Sequence, residues 1–479
     1  MSTGARAGEL RVLIVTDQYE PMIGGVPTVT RELARGLTER GHAVTVVAPS
    51  AFGHGRTVNR SVAVAAAGGA SAGGAPAGSR PAAGSAPLTE ALRGSVRWPW
   101  YEGQRLGFLS PAAARELIDD FKPDVVHLHS PLTLGATARS AARRRGVPVL
   151  YTNHYLPANV WPGLEAPGAA TSAPERSGTA RSGTARSGTA RSGIPRAVIA
   201  RSAAARSAVL EVAFYAFITG FANRCDHVTA PTATALLLLR EHGLRVPSQV
   251  VSNGIDLDTF APGPCGADEA LRARYALLPG GGPVILSVGR LSPEKRADVL
   301  IEAAVRLTQP GARLVLAGTG PDEGRLRALA ASRGAADRVR FLGFVPGSDL
   351  PGLYRLADVF AIASPAELQS LVTMEAMASG LPVVAVQAGA LGELVHAGEN
   401  GFLARPGHAA DIATSLDLLC RDTALRTRMA KASRRIIADH DRYRLLSRWE
   451  SIYRVLAAHD PEAADSAASA EEEKKNRQR

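Results

Sequence analysis

The stretch LRVLIVTDQYEPMIGGVPTVTRELARGLTERGHAVTVVAP, residues 10–49, predicts the unit from which the fold is built. It opens with LRVLIVTD, an apolar and β-branched run that is typical of a buried parallel strand. Val29, Leu33 and Leu37 follow at helical spacing. Gly41 ends this predicted helix, and HAVTVVAP continues as a second strand. The order of strand, helix and strand predicts a βαβ unit.

Strand and helix signals alternate through the rest of the chain in two series, which a Pro- and Gly-rich stretch separates. A chain of 479 residues also fits two domains of about 200 residues better than a single core. We therefore expect an α/β protein with two doubly wound, Rossmann-like parallel-sheet domains. The predicted strands are DVVHLHS, VPVLYTNHY, HVTAPT and QVVSNGI in the first series, and PVILSVGR, ARLVLAG, VRFLGF, DVFAIAS, LPVVAV and GFLARP in the second.

The composition sets the expected domain boundaries. Low-complexity insertions near 52–97 and 165–206 are rich in Ala, Gly, Ser and Pro, which bury too little surface to offset the entropy of ordering. The remaining boundaries are an N-terminal domain at 1–255, a hinge or linker at 256–282, a C-terminal domain at 283–440, a terminal helix at 441–460 that could pack back on the first domain, and a disordered tail at 461–479.

The net charge of +11 is concentrated in one segment, because an arginine stands at every fifth position from 176 to 206 without an acidic residue between them. One interpretation is an expanded repeat that a surface loop tolerates. Another is a cationic arm for an anionic membrane surface. A nucleic acid is the least favoured partner, because the rest of the chain is only mildly basic. The arginines are Arg176, Arg181, Arg186, Arg191, Arg196, Arg201 and Arg206.

Cysteine usage and the lack of long apolar runs indicate the compartment. Cys225, Cys265 and Cys420 lie far apart without CxxC spacing, so neither a disulfide framework nor a zinc cluster is indicated. The sequence shows neither an apolar run of about 20 residues nor a secretory signal. We expect a cytoplasmic protein, peripheral on the inner face of the cell membrane if the arginine series binds lipid.

The stretch SPAELQSLVTMEAMASGLPVVA, residues 364–385, is the most informative for chemistry. Glu367 and Glu375 are eight residues apart and bracket a strand-end loop and the first turns of a helix, so both can face one ligand at the carboxyl edge of the sheet. Carboxylates accept hydrogen bonds from the hydroxyl groups of a ligand. Ser370 and Leu371 lie at the helix N-terminus, where backbone N–H groups favour a phosphate. Alternatively, exposed glutamates mark only a solvated face.

A second candidate element is SVGRLSPEK, residues 287–295, in which a strand runs into Arg290 and Lys295. Two cations at the carboxyl end of a strand can hold adjacent phosphates and neutralise a diphosphate leaving group. The alternative is a pair of surface cations without a common ligand. In the first interpretation no metal ion is needed, and we expect none.

Together these motifs, with VTDQYEPMIGGVPTVTRELARGL, VSNGIDLDTFAPG and GFLARPG, resemble the retaining glycosyltransferases of family four, which have the GT-B fold of two domains facing across a cleft. The resemblance covers nearly the whole ordered chain. One departure is the text after the first glutamate, commonly x-Phe-Gly, where this chain has Leu368, Gln369 and Ser370. Both glutamates are kept despite this departure, but whether the backbone N–H groups at Ser370 and Leu371 bind a phosphate stays open.

The resemblance implies a role for each candidate residue. Glu367 would bind hydroxyls of the donor sugar and Glu375 the ribose, while Arg290 and Lys295 would bind the diphosphate. The Gly24–Gly25 turn would approach the diphosphate from the N-terminal domain. The implied co-substrate is a nucleoside diphosphate sugar such as a UDP-sugar, with no other cofactor, and the nucleobase stays open.

His154, in YTNHYLP, follows a predicted strand of the first domain. A lone histidine is more often structural, but the resemblance implies contact with the transferred sugar or the acceptor. His127 and His129 lie two residues apart along a predicted strand. We expect at most one of them to face the cleft, and neither is assigned a role.

Two further motifs are set aside. Asp256-Leu257-Asp258 has the pattern of a metal motif but lies near the hinge, where the resemblance gives it no metal. GTGPDEG, residues 318–324, follows a strand, but its glycine spacing is one residue too long for a dinucleotide fingerprint, so we expect a turn between strand and helix.

The expected activity is transfer of a hexosyl group to an acceptor hydroxyl, with retention of configuration implied by the resemblance. TNHYLPANVWPG looks most like the branch that glycosylates diacylglycerol and related lipids, and Phe214, Phe217 and Phe221 would suit a membrane-facing helix. A soluble acceptor, such as a secondary metabolite, sugar or cyclitol, is the alternative. A nucleotide-sugar 2-epimerase and a catalytically inactive nucleotide-binding protein remain less favoured.

Overall fold

The computed structural model describes residues 8–22, 24–50, 58–62, 88–97, 105–157, 196–263, 268–277 and 282–458. These residues form two α/β domains, each built on one large sheet. Residues 63–87 of the first predicted insertion, residues 165–195 of the second, Cys265 and the predicted tail at 461–479 lie outside the described residues.

The N-terminal domain contains an eight-stranded sheet with the order β10-β9-β8-β7-β1-β2-β4-β3. Neighbouring strands are parallel except β3 and β4, which are antiparallel. β5 and β6 form a separate two-stranded ribbon. The strands are β1 (Arg11–Val15), β2 (Ala43–Pro49), β3 (Val58–Val62), β4 (Leu88–Arg93), β5 (Ser95–Arg97), β6 (Arg105–Gly107), β7 (Val125–Leu128), β8 (Val149–Thr152), β9 (His227–Ala230) and β10 (Ser248–Val250).

The apolar run of β1 is continuous because both faces of the strand are buried. Leu13 and Val15 belong to one hydrophobic cluster, and Val12 and Ile14 belong to another on the opposite face. This alternation follows from the two-residue period of a strand. The helices of the domain are α1 (Gly25–Glu39), α2 (Pro111–Phe121), α3 (Thr133–Arg143), α4 (Arg196–Ala222) and α5 (Ala233–Glu241).

The C-terminal domain contains a six-stranded, fully parallel sheet with the order β13-β12-β11-β14-β15-β16. Its strands are β11 (Val284–Val288), β12 (Arg313–Ala317), β13 (Val339–Gly343), β14 (Val359–Ile362), β15 (Val383–Val386) and β16 (Gly401–Ala404). The helices are α6 (Asp268–Arg274), α7 (Ala297–Val305), α8 (Glu323–Ser332), α9 (Leu350–Arg355), α10 (Leu371–Ala378), α11 (Ala409–Arg421), α12 (Thr423–Ile437) and α13 (Arg442–Ala457).

Two doubly wound, Rossmann-like domains are therefore confirmed, but three predicted segments need correction. The insertion predicted at 52–97 contains β3, β4 and β5. β4 pairs with β2 and buries Leu88, Ala91 and Leu92, a short pattern that the surrounding Ala and Gly hid. The insertion predicted at 165–206 ends inside a helix, because α4 begins at Arg196.

The linker predicted at 256–282 contains α6, which the surrounding Pro and Gly residues obscured. Leu271 and Tyr275 stand four residues apart, so they share one face of this helical segment. Both are buried in the hydrophobic cluster of the C-terminal domain. The helix therefore packs as part of that domain.

The final helix, α13, packs on the N-terminal domain. Trp449, Ile452 and Tyr453 lie in the same hydrophobic cluster as Val12 and Ile14 of β1. The Tyr453 hydroxyl is hydrogen-bonded to Nδ1 of His127 at 2.8 Å, and both side chains are fully buried. The chain therefore crosses between the domains twice, and its end stabilises the domain where it began.

We expect Tyr453→Phe to lower the free energy of unfolding by about 1–3 kcal/mol, because it leaves a buried imidazole nitrogen of His127 without a partner. Urea titration of the full chain measures the change. Tyr443→Phe is the matched control on the same helix, where the ring is exposed. Equal stability of the Tyr453→Phe variant and the wild type would contradict this account of α13.

Candidate active site

The two predicted donor-binding motifs follow neighbouring strands of the second sheet. β11 lies between β12 and β14, so the chain order reverses at the β11–β14 pair. Arg290 and Lys295 follow β11, and Glu367 follows β14. In open α/β sheets, ligands bind beyond the carboxyl ends of the strands at such a reversal point.

Lys295 and Glu367 form an ion pair across this point. Lys295 Nζ lies 2.7 Å from Glu367 Oε1, although the residues are 72 positions apart. The side chain of Glu367 is 10% exposed and that of Lys295 is 34% exposed. Arg290 pairs with Glu294 at 3.0 Å in the same loop. One cation and one carboxylate from separate motifs thus meet directly, with a second cation in the loop beside them.

The loop that carries Arg290 depends on two glycines of GTGPDEG. A Cβ on Gly318 would lie 1.9 Å from the carbonyl oxygen of Gly289, and a Cβ on Gly320 would lie 2.2 Å from that of Leu291. No larger residue fits this close approach of two backbones. The motif links β12 to α8, so it is the expected turn between strand and helix.

Glu375 lies one helical turn inside α10 and is partly buried. Its carboxylate accepts a hydrogen bond from the Tyr354 hydroxyl at 2.7 Å. Burial raises the pKa of Glu375 to about 7, and the hydrogen bond from Tyr354 opposes this rise without cancelling it. Near neutral pH this carboxyl is therefore divided between its protonated and charged forms.

The N-terminus of α10 meets the N-terminal domain. Ser370 is the N-cap residue, and its side chain makes no capping hydrogen bond to the helix backbone. A Cβ on Gly25 would lie 3.7 Å from a methyl carbon of Leu371, so the start of α1 faces the start of α10. The structure thus brings the Gly24–Gly25 turn, Ser370 and Leu371 together.

His154 is hydrogen-bonded to another histidine. Its Nε2 lies 2.8 Å from Nδ1 of His129, and the two rings are stacked. Burial lowers the pKa of His154 to about 4, and burial also lowers that of His129. The pair is therefore uncharged at neutral pH. His127 lies beside this pair, with its ring centroid 4.1 Å from that of His129, because residues two apart along a strand share a face. Its two ring nitrogens are hydrogen-bonded to the hydroxyls of Tyr453 and Thr152.

Sequence reasoning assigned no role to His129 and missed Asp17 and Ser130. Asp17 follows β1 and accepts a hydrogen bond from the Ser130 hydroxyl at 2.5 Å. Burial raises the pKa of Asp17 to about 6, against the opposing effect of this hydrogen bond. The available signal was a polar residue directly after an apolar strand, as in VTD and LHS.

Asp256 has a structural role. Its carboxylate accepts hydrogen bonds from the Thr259 backbone and hydroxyl and pairs with Arg442 at 3.1 Å. Asp258 lies in the same turn and donates its backbone N–H to Asp256. Across the described ranges, no group of three or more His, Cys, Asp or Glu side chains is arranged to hold a metal ion.

The predicted aromatic face of α4 needs correction. Phe214 and Phe221 are buried in the N-terminal core, and only Phe217 is exposed, to 51%. Val209, Leu210 and Val212 of α4 are also exposed. Of the helices that the structure describes, none is both long enough and apolar enough to cross a bilayer.

Two facing Rossmann-like domains, with polar clusters at the strand ends of each, define the GT-B class. Comparison with known families agrees. Residues 23–259 match "Glycosyltransferase Family 4", and residues 272–436 match "Glycosyl transferases group 1". The chain therefore combines a family 4 glycosyltransferase domain with a group 1 glycosyl transferase domain.

Solved structures show the same fold. Sucrose-phosphate synthase from Thermosynechococcus elongatus superimposes with a TM-score of 0.67 at 17% identity, covering 94% of this chain and 99% of that one. HepE of Anabaena, solved with UDP and glucose, superimposes with a TM-score of 0.62 at 18% identity, covering 94% of this chain and 100% of HepE.

Among curated proteins, the D-inositol 3-phosphate glycosyltransferase of Salinispora arenicola is 38% identical over 233 residues, which cover 46% of this chain and 52% of that protein. A sulfoquinovosyl transferase of Arabidopsis thaliana is 27% identical over 354 residues, which cover 72% of this chain and 59% of that protein. The chain thus spans about half the length of the curated relatives that it matches.

We expect Glu375→Gln to remove a pH dependence of stability. The ordinary pKa of 4.5 applies to the unfolded chain, and the folded value is about 7, so the folded state retains a proton that the unfolded state releases. The stability contributed by the neutral carboxyl is complete below the lower value and is lost as pH rises through the higher one. As pH rises from about 5 to about 8, the Tm of the wild type should therefore fall relative to that of the glutamine variant.

Glu269→Gln, which changes an exposed carboxylate elsewhere in the same domain, is the control variant. A difference in Tm between the wild type and Glu375→Gln that stays constant across this pH range would contradict the raised pKa of Glu375.

Proposed function

We propose that the protein is a glycosyltransferase that moves a hexosyl group from a nucleoside diphosphate sugar to an acceptor hydroxyl, with retention of configuration. The observation that carries the proposal is the Lys295–Glu367 ion pair at the reversal point of the second sheet, with Arg290 in the same loop. An activated sugar offers the groups that such a site recognises, namely a diphosphate for the cations and hydroxyls for the carboxylate.

In this proposal, donor binding separates the ion pair. The diphosphate replaces Glu367 as the partner of Lys295, and Arg290 binds the same group. Two cations then neutralise the charge that develops on the departing nucleotide. The freed carboxylate of Glu367 accepts hydrogen bonds from the sugar, and Glu375 binds the ribose. The backbone N–H groups at Ser370 and Leu371, with the Gly24–Gly25 turn opposite, complete the diphosphate site.

The acceptor lies on the N-terminal side of the cleft. His154 is uncharged at neutral pH, so it contacts the sugar or acceptor through a hydrogen bond and not through charge. Closure of the two domains excludes water, which would otherwise hydrolyse the donor. We propose that no divalent ion is needed, because Arg290 and Lys295 provide the positive charge that such an ion would supply.

For the acceptor we favour a membrane lipid such as diacylglycerol, reached at an anionic membrane surface. The support is the set of exposed apolar side chains on α4, among which Val209 is 68% exposed and Val212 is 62% exposed. The arginine series at 176–206 runs directly into this helix. Apolar side chains beside a cationic segment are the combination that binds anionic bilayers. A cytoplasmic protein, peripheral on the inner face of the membrane, would result.

A soluble cyclitol acceptor is the second candidate. It is favoured by the relatives that act on D-inositol 3-phosphate, one of which is 38% identical over 233 residues. UDP-sugars are the first donors to test, because HepE has been solved with UDP-glucose.

We expect Glu367→Gln and Lys295→Ala each to lower kcat/KM for sugar transfer at least about a hundredfold, because each removes a charge that acts on the donor. Transfer from UDP-, GDP- and ADP-sugars to diacylglycerol and to inositol phosphate is measured, with and without EDTA. Lys431→Ala, an exposed lysine on α12, is the control. Near wild-type transfer by either site variant would overturn the site assignment, and loss of transfer in EDTA would overturn metal independence.

We expect the Val212→Ser, Phe217→Ser double variant to lose binding to vesicles that contain phosphatidylglycerol, because each substitution replaces an exposed apolar side chain of α4 with a polar one. Deletion of 176–193 should remove the part of vesicle binding that high salt also removes, because that part depends on the arginine charges. Flotation measures both effects. Leu237→Ser is the control, since Leu237 is 55% exposed on a different helix, α5. Unchanged flotation of the double variant would exclude this membrane surface.

A further inference from the structure

The loop that carries Glu367 also contacts the N-terminal domain. Leu368 is buried to 8% exposure in the hydrophobic cluster of that domain, which also contains Tyr155 and Leu156. The backbone carbonyl of Leu368 accepts a hydrogen bond from the Thr232 hydroxyl at 2.8 Å. The residue next to the donor-site carboxylate is therefore packed into the opposite domain.

Gln369 extends this contact with two hydrogen bonds. Its Oε1 accepts the backbone N–H of Asn253 at 2.7 Å, and its Nε2 donates to the Ser252 hydroxyl at 2.9 Å. The Ser252 hydroxyl is also hydrogen-bonded to Nδ1 of His440, at 2.7 Å, where the chain returns toward the first domain. Gln369 is 8% exposed, so these bonds are shielded from solvent.

A second anchor lies on the other side of Glu367. The carbonyl oxygen of Glu367 accepts the N–H of Ala390 at 3.0 Å. Three residues further on, the Glu393 carboxylate accepts the N–H groups of Ala233 and Thr234 at 2.9 and 2.7 Å. These are the first residues of α5, where a carboxylate also interacts favourably with the helix dipole. The backbone of Glu367 is therefore held between two connections to the N-terminal domain.

We propose that Gln369 is a positioning residue that couples the approach of the two domains to the placement of Glu367 in the donor site. Glu367 and Leu368 are consecutive, with Cα atoms about 3.8 Å apart, so the position of Glu367 depends on where Leu368 and Gln369 are held. Opening of the cleft breaks the Gln369 hydrogen bonds and releases the Glu367 backbone on one side.

This inference rests on the proposed function, and it also gives a role to the sequence departure in this loop. A glutamine side chain can both accept from Asn253 and donate to Ser252, which an apolar side chain at the same position cannot do. Arg290, Lys295 and Glu375 lie outside the loop, so the share of nucleotide binding that these side chains provide is kept when the Gln369 contact is lost.

The test is Gln369→Leu, which removes both hydrogen bonds and keeps a similar volume. We expect kcat for transfer to fall by about tenfold, the order of two lost neutral hydrogen bonds, with a smaller change in the Kd for UDP. Hydrogen exchange at the amides of Ala233 and Thr234 should become faster, although Gln369 does not touch them, because the domains separate more often.

Two further variants sharpen the test. Ser252→Ala removes the other end of one hydrogen bond, so its effect on kcat and that of Gln369→Leu should be less than additive in the double variant. Gln309→Leu is the matched control, in the connection between α7 and β12, which leads into the amino end of a strand of the same sheet. It should leave transfer and amide exchange unchanged.

Three results would overturn the coupling: unchanged kcat in Gln369→Leu, unchanged exchange at Ala233 and Thr234, or a parallel loss of UDP binding and kcat that tracks a lower Tm. Failure of the proposed function has a different signature, since the wild type would then transfer no sugar at all. The exchange measurement needs no turnover and separates the two cases.

Discussion

The structure depends on the meeting of two strand ends, those of β11 and β14, in one parallel sheet. Because these strands are neighbours and point the same way, the loops that follow them emerge side by side. This places Lys295 and Glu367 at 2.7 Å despite their separation of 72 residues. Lys295 and Glu367 neutralise each other in the free protein, and under the proposed function they bind a ligand that carries both an anion and hydroxyl groups.

The N-terminal domain provides the opposite wall and sets its electrostatic character. Its strand ends present two histidines that are uncharged at neutral pH, since burial lowers the pKa of His154 to about 4 and that of His129 below its ordinary value. In the proposed mechanism, the charged groups that act on the donor thus lie in one domain, and the neutral hydrogen-bonding histidines lie in the other. The final helix and the Leu368–Gln369 contact hold these walls together.

The sequence predicts the alternation of elements, the two domains and the residues at the strand ends, because a parallel strand buried on both faces leaves a continuous apolar run. Pairing between distant segments is harder to predict. β4 joins β2 across a stretch whose composition suggested only a loop, and α6 lies among Pro and Gly residues. The His129–His154 contact joins residues 25 positions apart on separate strand ends, and no local pattern reports it.

The central claim is that one activated-sugar molecule occupies the site between Lys295, Arg290, Glu367 and Glu375. A crystal structure of the full protein with the nucleoside diphosphate that raises its Tm most tests this directly. The account predicts the diphosphate within about 3 Å of Lys295 Nζ and the Arg290 guanidinium, with the Lys295–Glu367 ion pair opened and Glu375 beside the ribose. A nucleotide bound elsewhere, with that ion pair still closed, would contradict the account.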